Sequence, residues 1–312
     1  LSPLTVDKKI TDKLQTSVKG IYDGKLYSAG FYDAAIALLA RKSTLAAAGL
    51  RTPTIEKPWT LAEFNDALAK AKATGKYDYA ISLGTGWDGE WYPYGFSPLL
   101  QSFGGDLINR KTNKTAEGVL NGAAAVAWGK WFQNIFAQGL APKKETADQR
   151  DNGFVTGKIA YQWNGSWAAA TAAEKLGSDF IALPPPNLGT KAYIGGGSWQ
   201  WAVSSTCANK AGANAWLQFA LQTKYLAKFA DDLFNLPITA EATKASKTFG
   251  PSSKYADFAK FSATFALIRP ATPAYPVIAK VFETATKDII NGADVQKSLD
   301  SAVDQINKNL KD

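Results

Sequence analysis

Apolar residues along this chain follow two patterns, short uninterrupted runs and longer stretches with an apolar residue at every third or fourth position. Short runs bounded by turn residues are typical of buried strands, whereas the periodic stretches are typical of amphipathic helices. The runs predict strands at 26–32, 77–83, 159–163 and 180–183. The periodic stretches predict helices at 42–49, 60–75, 119–139, 146–157, 210–222, 224–234, 255–267, 275–291 and 295–310. Residues 1–20 form a polar lead-in, helical or irregular, and no internal repeat is present.

The helix predicted at 60–75 has the clearest start signal in the sequence. Thr60 is followed three residues later by Glu63, the spacing of a capping box in which each side chain bonds to the other residue's backbone. Trp59 and Phe64 flank this start and can form a hydrophobic staple. We therefore expect the helix to begin at Thr60 and to end near Gly75.

The segment 157–169 joins a predicted strand to a predicted helix. Asn164 and Gly165 tolerate a positive φ and are expected to break the strand. Ser166 can cap the next helix, for which the alanines from Ala168 are suited. Trp167 is thereby expected at the carboxyl end of a strand, the edge at which open α/β sheets bind ligands. The alternative is a core residue that closes the corner between strand and helix.

Six of the ten tryptophans form three pairs near predicted strand ends. The C–H faces of sugars stack on aromatic rings, and their hydroxyl groups need amide and carboxylate partners. Burial of one tryptophan face contributes about 1–3 kcal/mol. The pairs are Trp87/Trp91 in the glycine-rich segment 84–95, Trp163/Trp167, and Trp199/Trp201 after the glycines at 195–197. Polar side chains lie near comparable positions, namely Asp33, Asp88, Glu90, Asn164, Gln200 and Arg269.

Interior packing is the alternative for each pair. It is expected for Trp163, which lies inside a strand pattern, and for one of Trp199 and Trp201. A phosphate site is not indicated, because the glycines at 195–197 match neither the P-loop nor the dinucleotide-binding fingerprint.

Composition excludes several kinds of catalytic and metal site. The chain has no histidine, which excludes Ser-His-Asp and Cys-His catalysis and every His-ligated metal. Its one cysteine, Cys207, allows neither an internal disulfide nor a thiolate zinc cluster. The net charge of +8 comes largely from scattered lysines, which predicts a solvated surface, with nucleic-acid or anionic-ligand binding as the alternative.

Length and hydropathy bound the overall organisation. The 312 residues predict two domains of about 150 residues each. No apolar run reaches the roughly 20 residues of a membrane-spanning helix. The chain begins at Leu1 without a signal peptide, so its start is expected to be processed or truncated.

Several segments, in this order and spacing, resemble the extracellular solute-binding proteins of ABC sugar importers, the family that includes maltose-binding protein. An early stretch around Tyr22 and Asp23 resembles the family's first crossing between lobes. The later matches include a helix start, a double-glycine turn and a strand that leads to a tryptophan. The matching residues lie at 22–27 with 37–40, 58–64, 102–105, 154–167, 196–199 and 269–276.

The resemblance implies an α/β fold of two lobes, the type II periplasmic-binding-protein fold, with a hinge between the lobes and a ligand cleft at their interface. An incomplete N-terminal-type lobe would comprise 1–33 and 198–244, and a C-terminal-type lobe 34–197 and 245–312. The family's first strand and helix are expected to be absent from the start of this chain. Trp167 would be the main stacking platform and Asp33 would accept hydroxyl protons. The expected ligand-binding residues are Trp167, Trp91, Tyr94, Trp87, Asp33, Tyr32, Trp199, Asn164, Tyr275 and Arg269.

The function implied is a carbohydrate receptor that delivers an oligosaccharide or glycoside to an ABC transporter. We expect a monomer that performs no catalysis, holds no cofactor or metal, and has a carbohydrate ligand and membrane permease subunits as partners but no nucleic acid. We expect it outside the cytoplasm, periplasmic or anchored at the cell surface as a lipoprotein.

Two alternatives stay open at this stage. A glycoside hydrolase would need two carboxylates at a set separation, and Asp88 and Glu90 are the nearest candidates. A receptor for an anionic or polyamine ligand on the same fold is the other. In that case Arg269 would suit a carboxylate.

Overall fold

A computed structural model describes residues 1–253 and 255–310 of the chain. Its strands are β1 (Lys19–Tyr22), β2 (Lys25–Gly30), β3 (Ile36–Arg41), β4 (Tyr79–Ser82), β5 (Ile159–Gly165), β6 (Phe180–Leu183), β7 (Ile194–Gly196), β8 (Gln200–Ala202) and β9 (Ala266–Ile268). Its α-helices are α1 (Lys8–Thr11), α2 (Lys42–Ala47), α3 (Leu61–Ala73), α4 (Ser97–Phe103), α5 (Ala123–Ala137), α6 (Ala147–Asp151), α7 (Ser166–Leu176), α8 (Lys210–Ala220), α9 (Thr223–Leu233), α10 (Ala240–Ala245), α11 (Ala256–Phe265), α12 (Tyr275–Asn291) and α13 (Val295–Asn309). The α/β class expected from the sequence is confirmed.

The chain divides into two compact units, each assembled from separate stretches of sequence. The first unit contains Leu1–Ala35, Gly165–Ala170 and Gly196–Ile268, and the second contains Ile36–Asn164, Thr171–Gly195 and Arg269–Asp312. The sequence-based division placed 165–170 and 245–268 in the C-terminal-type lobe, whereas the structure places both in the first unit. The assignment of N-terminal-type and C-terminal-type lobes stays a prediction.

The first unit is built on a three-stranded antiparallel sheet in the order β1-β2-β8. Lys19 pairs with Ala29, and Ala29 pairs in turn with Trp201. Helices α8, α9 and α10 contribute Leu217, Leu226 and Ala242 to the core, together with residues of the sheet and of the connecting segments. The core includes Leu14, Val18, Ala29, Phe31, Val203, Leu217, Leu221, Leu226 and Ile238.

The second unit contains a four-stranded sheet in the order β4-β5-β3-β6, with β4 parallel to β5 and β3 antiparallel to β6. Strands β3 and β5 are buried along their whole length, although β5 also carries the polar residues Gln162 and Asn164. Helices α5, α12 and α13 pack against one another. Trp128 on α5 stacks between Phe132 and Phe282, with ring centroids 5.4 and 5.6 Å away.

The capping box predicted for α3 is confirmed. The Thr60 side chain accepts from the backbone N–H of Glu63 at 3.2 Å, and the Thr60 N–H donates to the Glu63 carboxylate at 2.9 Å. Arg51 donates to both carboxylate oxygens of Glu63, at 2.6 and 2.7 Å. The hydrogen bond from Arg51 lowers the pKa of Glu63 to about 2.

Other sequence-based boundaries were wrong in specific ways. The helix predicted at 119–139 begins only at Ala123, and the helix predicted at 146–157 is limited to Ala147–Asp151. Strands β1, β3, β7, β8 and β9 were missed. Four of them have only three or four residues, which carry too little periodicity to be recognised, whereas β3 (Ile36–Arg41) was taken only as a continuation of the preceding apolar stretch.

Candidate functional site

Two tryptophans that follow β4 pack edge to face. The ring centroids of Trp87 and Trp91 are 4.5 Å apart, with 72° between the planes. The indole Nε1 of Trp91 donates to the carbonyl oxygen of Leu83 at 3.0 Å. Gly84 has φ +74°, and a Cβ there would come within 2.7 to 2.9 Å of both rings. Only glycine therefore lets the backbone pass so close to the pair. Trp91 is buried and Trp87 is half-buried, so Trp87 offers the more accessible face.

A single π-helical turn at Tyr92–Phe96 follows Trp91 and leads into α4. The segment 84–95 is therefore not a simple loop, because it becomes helical from Trp91 onward. Trp163 on β5 donates to the carbonyl oxygen of Gly95 at 2.9 Å, which ties the turn to the sheet. The Tyr94 ring in this turn lies 6.1 Å from the Trp91 ring. Such turns are frequent at functional sites.

The carboxylate of Glu90 is held by two donors that are distant in sequence. Nε of Arg269 donates to Glu90 at 2.8 Å, and the Tyr275 hydroxyl lies 2.7 and 2.9 Å from its two oxygens. The Arg269 guanidinium also lies over the Tyr94 ring, 4.9 Å from the centroid. Burial and the neighbouring Glu90 carboxylate raise the pKa of Tyr275, so its hydroxyl stays protonated at neutral pH.

Asp88 and Gly89 are tied to helix α12. Nζ of Lys287 lies 2.5 Å from Asp88 and 2.7 Å from Glu283, and the N–H of Gly89 donates to Glu283 at 3.0 Å. Burial raises the pKa of Glu283, but hydrogen bonds from Lys287, Gly89 and Lys280 outweigh it and lower the pKa to about 2. Glu283 and Lys287 were not predicted as site residues from the sequence. A Glu and a Lys four positions apart on a helix indicate only a local ion pair.

The end of β5 differs from expectation. The strand continues through Asn164 and Gly165, both buried, so the predicted break at these residues was wrong. Gly165 does not take a positive φ. Instead, a Cβ at this position would lie 2.1 to 2.4 Å from three atoms of the Trp167 ring. The N–H of Ser166, the first residue of α7, donates to the carbonyl oxygen of Ala35 at 2.9 Å. Trp167 therefore lies in the first turn of the helix that follows the strand, as expected, and is half-buried.

In the first unit, the carboxylate expected to accept sugar hydroxyls already has protein partners. Asp33 is 1% exposed, and its Oδ2 accepts from the hydroxyl of Ser17 at 2.9 Å. Its backbone exchanges two hydrogen bonds with Leu236, at 2.9 and 2.8 Å. The neighbouring Tyr32 is half-buried and stacks on Phe229, with ring centroids 5.6 Å apart.

The third tryptophan pair lies at the surface of the first unit. Trp199 is 75% exposed and Trp201 is 54% exposed, so the expectation that one of them is a core residue was wrong. Trp201 packs against Phe31 and Trp216, with ring centroids 5.9 and 5.3 Å away.

The structure thus gathers five of the ten expected site residues, with Glu90, into one group in the second unit. We call it the aromatic–ionic cluster: Trp87, Glu90, Trp91, Tyr94, Arg269 and Tyr275. Asn164 lies in the same unit, whereas Trp167, Asp33, Tyr32 and Trp199 belong to the first unit. The cluster combines aromatic faces with a carboxylate, a guanidinium and a phenol, which together can bind a polar molecule that carries apolar C–H surface.

Within residues 1–253 and 255–310, no set of three or more His, Cys, Asp or Glu side chains is grouped so as to hold a metal ion. In the same part of the chain, no helix is both long enough and apolar enough to cross a lipid bilayer.

The chain matches a family model described as bacterial extracellular solute-binding protein over residues 1–260. A comparison with curated proteins found no match.

Among solved structures, the GacH receptor of Streptomyces glaucescens, studied without ligand and with acarbose, is similar with a TM-score of 0.83 at 21% identity, over 100% of this chain and 79% of that one. The maltose/maltodextrin-binding domain MalE of Bdellovibrio bacteriovorus, bound to maltotriose, has a TM-score of 0.79 at 19% identity, over 100% and 80%. The cyclic alpha-maltosyl-1,6-maltose binding protein of Arthrobacter globiformis has a TM-score of 0.73 at 20% identity, over 98% and 78%. These likenesses confirm the two-lobe solute-binding fold.

Proposed function

Because the chain belongs to the family of bacterial extracellular solute-binding proteins, we propose that it is a carbohydrate receptor that delivers an oligosaccharide or glycoside to an ABC transporter. The family acts outside the cytoplasm, as expected from the sequence, and its members bind solutes and do not transform them. The solved structures of the same fold that contain acarbose or maltotriose support a carbohydrate as the solute.

The aromatic–ionic cluster is the observation that carries this proposal. Trp87 offers ring surface in the same cluster as the hydrogen-bonding groups of Glu90 and Tyr275, whereas the Tyr94 ring is buried under the Arg269 guanidinium. A pyranose needs both, since its C–H face stacks on a ring while its hydroxyls bond at the edge. Each stacked face contributes about 1–3 kcal/mol.

An anionic ligand is less favoured by this geometry. Nε of Arg269 donates to Glu90, so the positive charge has a carboxylate partner within the cluster. A ligand carboxylate would have to compete with Glu90 for the same guanidinium. A neutral ligand avoids that competition and can use the paired groups as hydrogen-bonding partners.

Glycoside hydrolysis is not supported either. The candidate acids are held by protein cations, Asp88 by Lys287 and Glu90 by Arg269. Each carboxylate is therefore engaged in an ion pair, whereas hydrolysis needs one carboxyl group to give a proton to the glycosidic oxygen.

We also propose roles for the expected residues outside the cluster. Trp167 and Trp199 are proposed to stack on the ligand, because their rings are partly or largely exposed. Asp33, Tyr32 and Asn164 are proposed as ligand residues from their sequence positions. All three lie within four residues of a point where the chain passes from one unit to the other.

The test is a titration of intrinsic tryptophan fluorescence against maltose, maltotriose, maltotetraose, a monosaccharide series and a uronic-acid oligosaccharide. We expect saturable binding of at least one neutral oligosaccharide, and weaker binding by Trp87→Ala. Trp131→Phe is the matched control, because it also removes one tryptophan but lies outside the aromatic–ionic cluster. The Trp131 indole N–H donates to Asn65 on α3. Flat titrations for every sugar, with a folded protein by circular dichroism, would reject the proposal.

Permease subunits are the proposed membrane partner. We further propose that the receptor is a monomer without a nucleic-acid partner. Sedimentation that shows a dimer, or salt-sensitive retention of the chain on DNA or RNA, would contradict these points.

A further inference from the structure

Glu145 is a buried acid that precedes helix α6 and contacts the start of the segment that carries Trp87 and Trp91. Glu145 is only 4% exposed to solvent. Its Oε1 accepts hydrogen bonds from two consecutive backbone N–H groups, those of Leu83 at 2.8 Å and Gly84 at 3.1 Å. One carboxylate oxygen therefore fixes two adjacent peptide groups.

The next two residues are held by the same neighbouring segment. The Thr85 hydroxyl donates to the carbonyl oxygen of Pro142 at 3.0 Å and accepts from the N–H of Glu145 at 3.2 Å. At Gly86, a Cβ would come within 2.4 Å of the carbonyl oxygen of Glu145. Residues 83–86 are thus contacted one after another by Pro142 and Glu145, which restrains this stretch of backbone.

The two residues fixed by the carboxylate are also those against which the tryptophan pair rests. The carbonyl oxygen of Leu83 accepts the Trp91 indole N–H at 3.0 Å, and Gly84 lies against both rings. We propose that Glu145 is a positioning residue for the Trp87–Trp91 pair, acting through the peptide groups of Leu83 and Gly84. The effect on sugar binding rests on the proposed function, whereas the effect on the ring pair does not.

The contact accounts for an acceptor oxygen at this buried position. A buried polar group is unfavourable unless it is hydrogen-bonded, and Oε1 of Glu145 has two backbone donors. Burial raises the pKa of Glu145, and the N–H of Leu83 opposes that rise. Arg150, whose guanidinium lies 5.3 Å from the Trp87 ring centroid, adds a favourable charge interaction with Glu145.

The experiment measures the exciton signal of the indole pair in far-ultraviolet circular dichroism. The signal is taken as the difference between each protein and the same protein with Trp87→Phe. Glu145→Gln keeps an acceptor oxygen and is expected to retain the signal. Glu145→Leu removes the acceptor, and Glu145→Asp withdraws it by one methylene. Both are expected to lose most of the signal and to weaken sugar binding about tenfold, which corresponds to about 1.4 kcal/mol.

Glu63→Leu is the matched control, because it removes a carboxylate that accepts a backbone N–H in the capping box of α3. It should lower the melting temperature and leave the indole signal unchanged. Amide exchange at Leu83 and Gly84 is the second measurement, with faster exchange expected in Glu145→Asp than in Glu145→Gln.

An unchanged signal and unchanged exchange in folded Glu145→Asp would overturn the positioning role. If Glu145→Leu fails to fold, the Asp and Gln variants decide the matter. A wild-type protein that shows the indole signal but binds no sugar would reject the proposed function and leave the positioning role standing.

Discussion

The guanidinium Nε of Arg269 lies 2.8 Å from Oε1 of Glu90, although 179 residues separate the two in sequence. The same guanidinium lies over the ring of Tyr94. One side chain therefore compensates the charge of the cluster's carboxylate and covers a face of one of its rings. The stability of the cluster should depend on both partners of this pair.

Removal of the arginine alone should be worse than removal of both charges. Arg269→Gln leaves the half-buried Glu90 with the Tyr275 hydroxyl but without the cation, and we expect a loss of about 1–3 kcal/mol in the free energy of unfolding. Glu90→Gln in the same chain should recover part of that loss. A double-mutant cycle by urea denaturation measures the difference, and strictly additive effects would show that the pair contributes nothing.

Trp87→Ala should separate binding from folding. Trp87 is half-buried, so its loss should weaken sugar binding by about 1–3 kcal/mol with a smaller effect on the melting temperature. Trp128→Ala is the contrasting variant, because Trp128 is 0% exposed and stacks between two phenylalanines. It should cost about 3–5 kcal/mol of stability. Equal losses of stability in the two variants would show that Trp87, like Trp128, serves as a core residue and not as a stacking surface for the ligand.

Gly165→Ala should displace one ring. The new methyl group would overlap the Trp167 indole, and because that side chain is half-buried, the ring can rotate toward solvent. We expect a red shift of the tryptophan emission. The overlap should also lower the free energy of unfolding of Gly165→Ala. Most of that loss should disappear when Gly165→Ala is combined with Trp167→Ala. If the double variant is as unstable as the single one, the glycine is required by the backbone and not by the ring.

Acid should weaken the tie between α12 and Gly89. The pKa of Glu283 is lowered to about 2 from an ordinary 4.5, so its ionised form stabilises the folded state above the ordinary value. That contribution is lost as the pH falls from about 4.5 through 2. Urea denaturation at pH 6, 4 and 3 should show falling stability, with a shallower fall in Glu283→Gln. Parallel curves for the two proteins would contradict the assignment.

Local signals in the sequence were sufficient wherever one segment determined its own structure. Thr60 and Glu63 predicted their helix start because a capping box needs only four consecutive residues. The Trp87/Trp91 pair was recognised for a similar reason, since its spacing places both rings on one short segment.

Contacts between distant segments could not be predicted in this way. Nothing in the sequence joins Glu90 to Arg269 or Gly89 to Glu283, because folding alone brings them together. Gly165 was recognised as special for the wrong reason: conformational freedom was expected, whereas the structure needs the space that a side chain would fill. Trp199 and Trp201 show a different error, because one of them was expected in the core and both are exposed. The pattern of a strand does not tell which of its two faces is covered by other elements.

The orientation of the aromatic rings next to α4 depends on the number of residues in the π-helical turn at Tyr92–Phe96. Such a turn contains one residue more than an α-helical turn, and each residue of an α-helix advances the chain by about 100° around the axis. Deleting one residue here would convert the turn to a regular helix and rotate Trp91 relative to α4, with every aromatic side chain still present. Receptors of this fold that differ by a single insertion or deletion at this point would therefore keep the same aromatic residues and orient their rings differently.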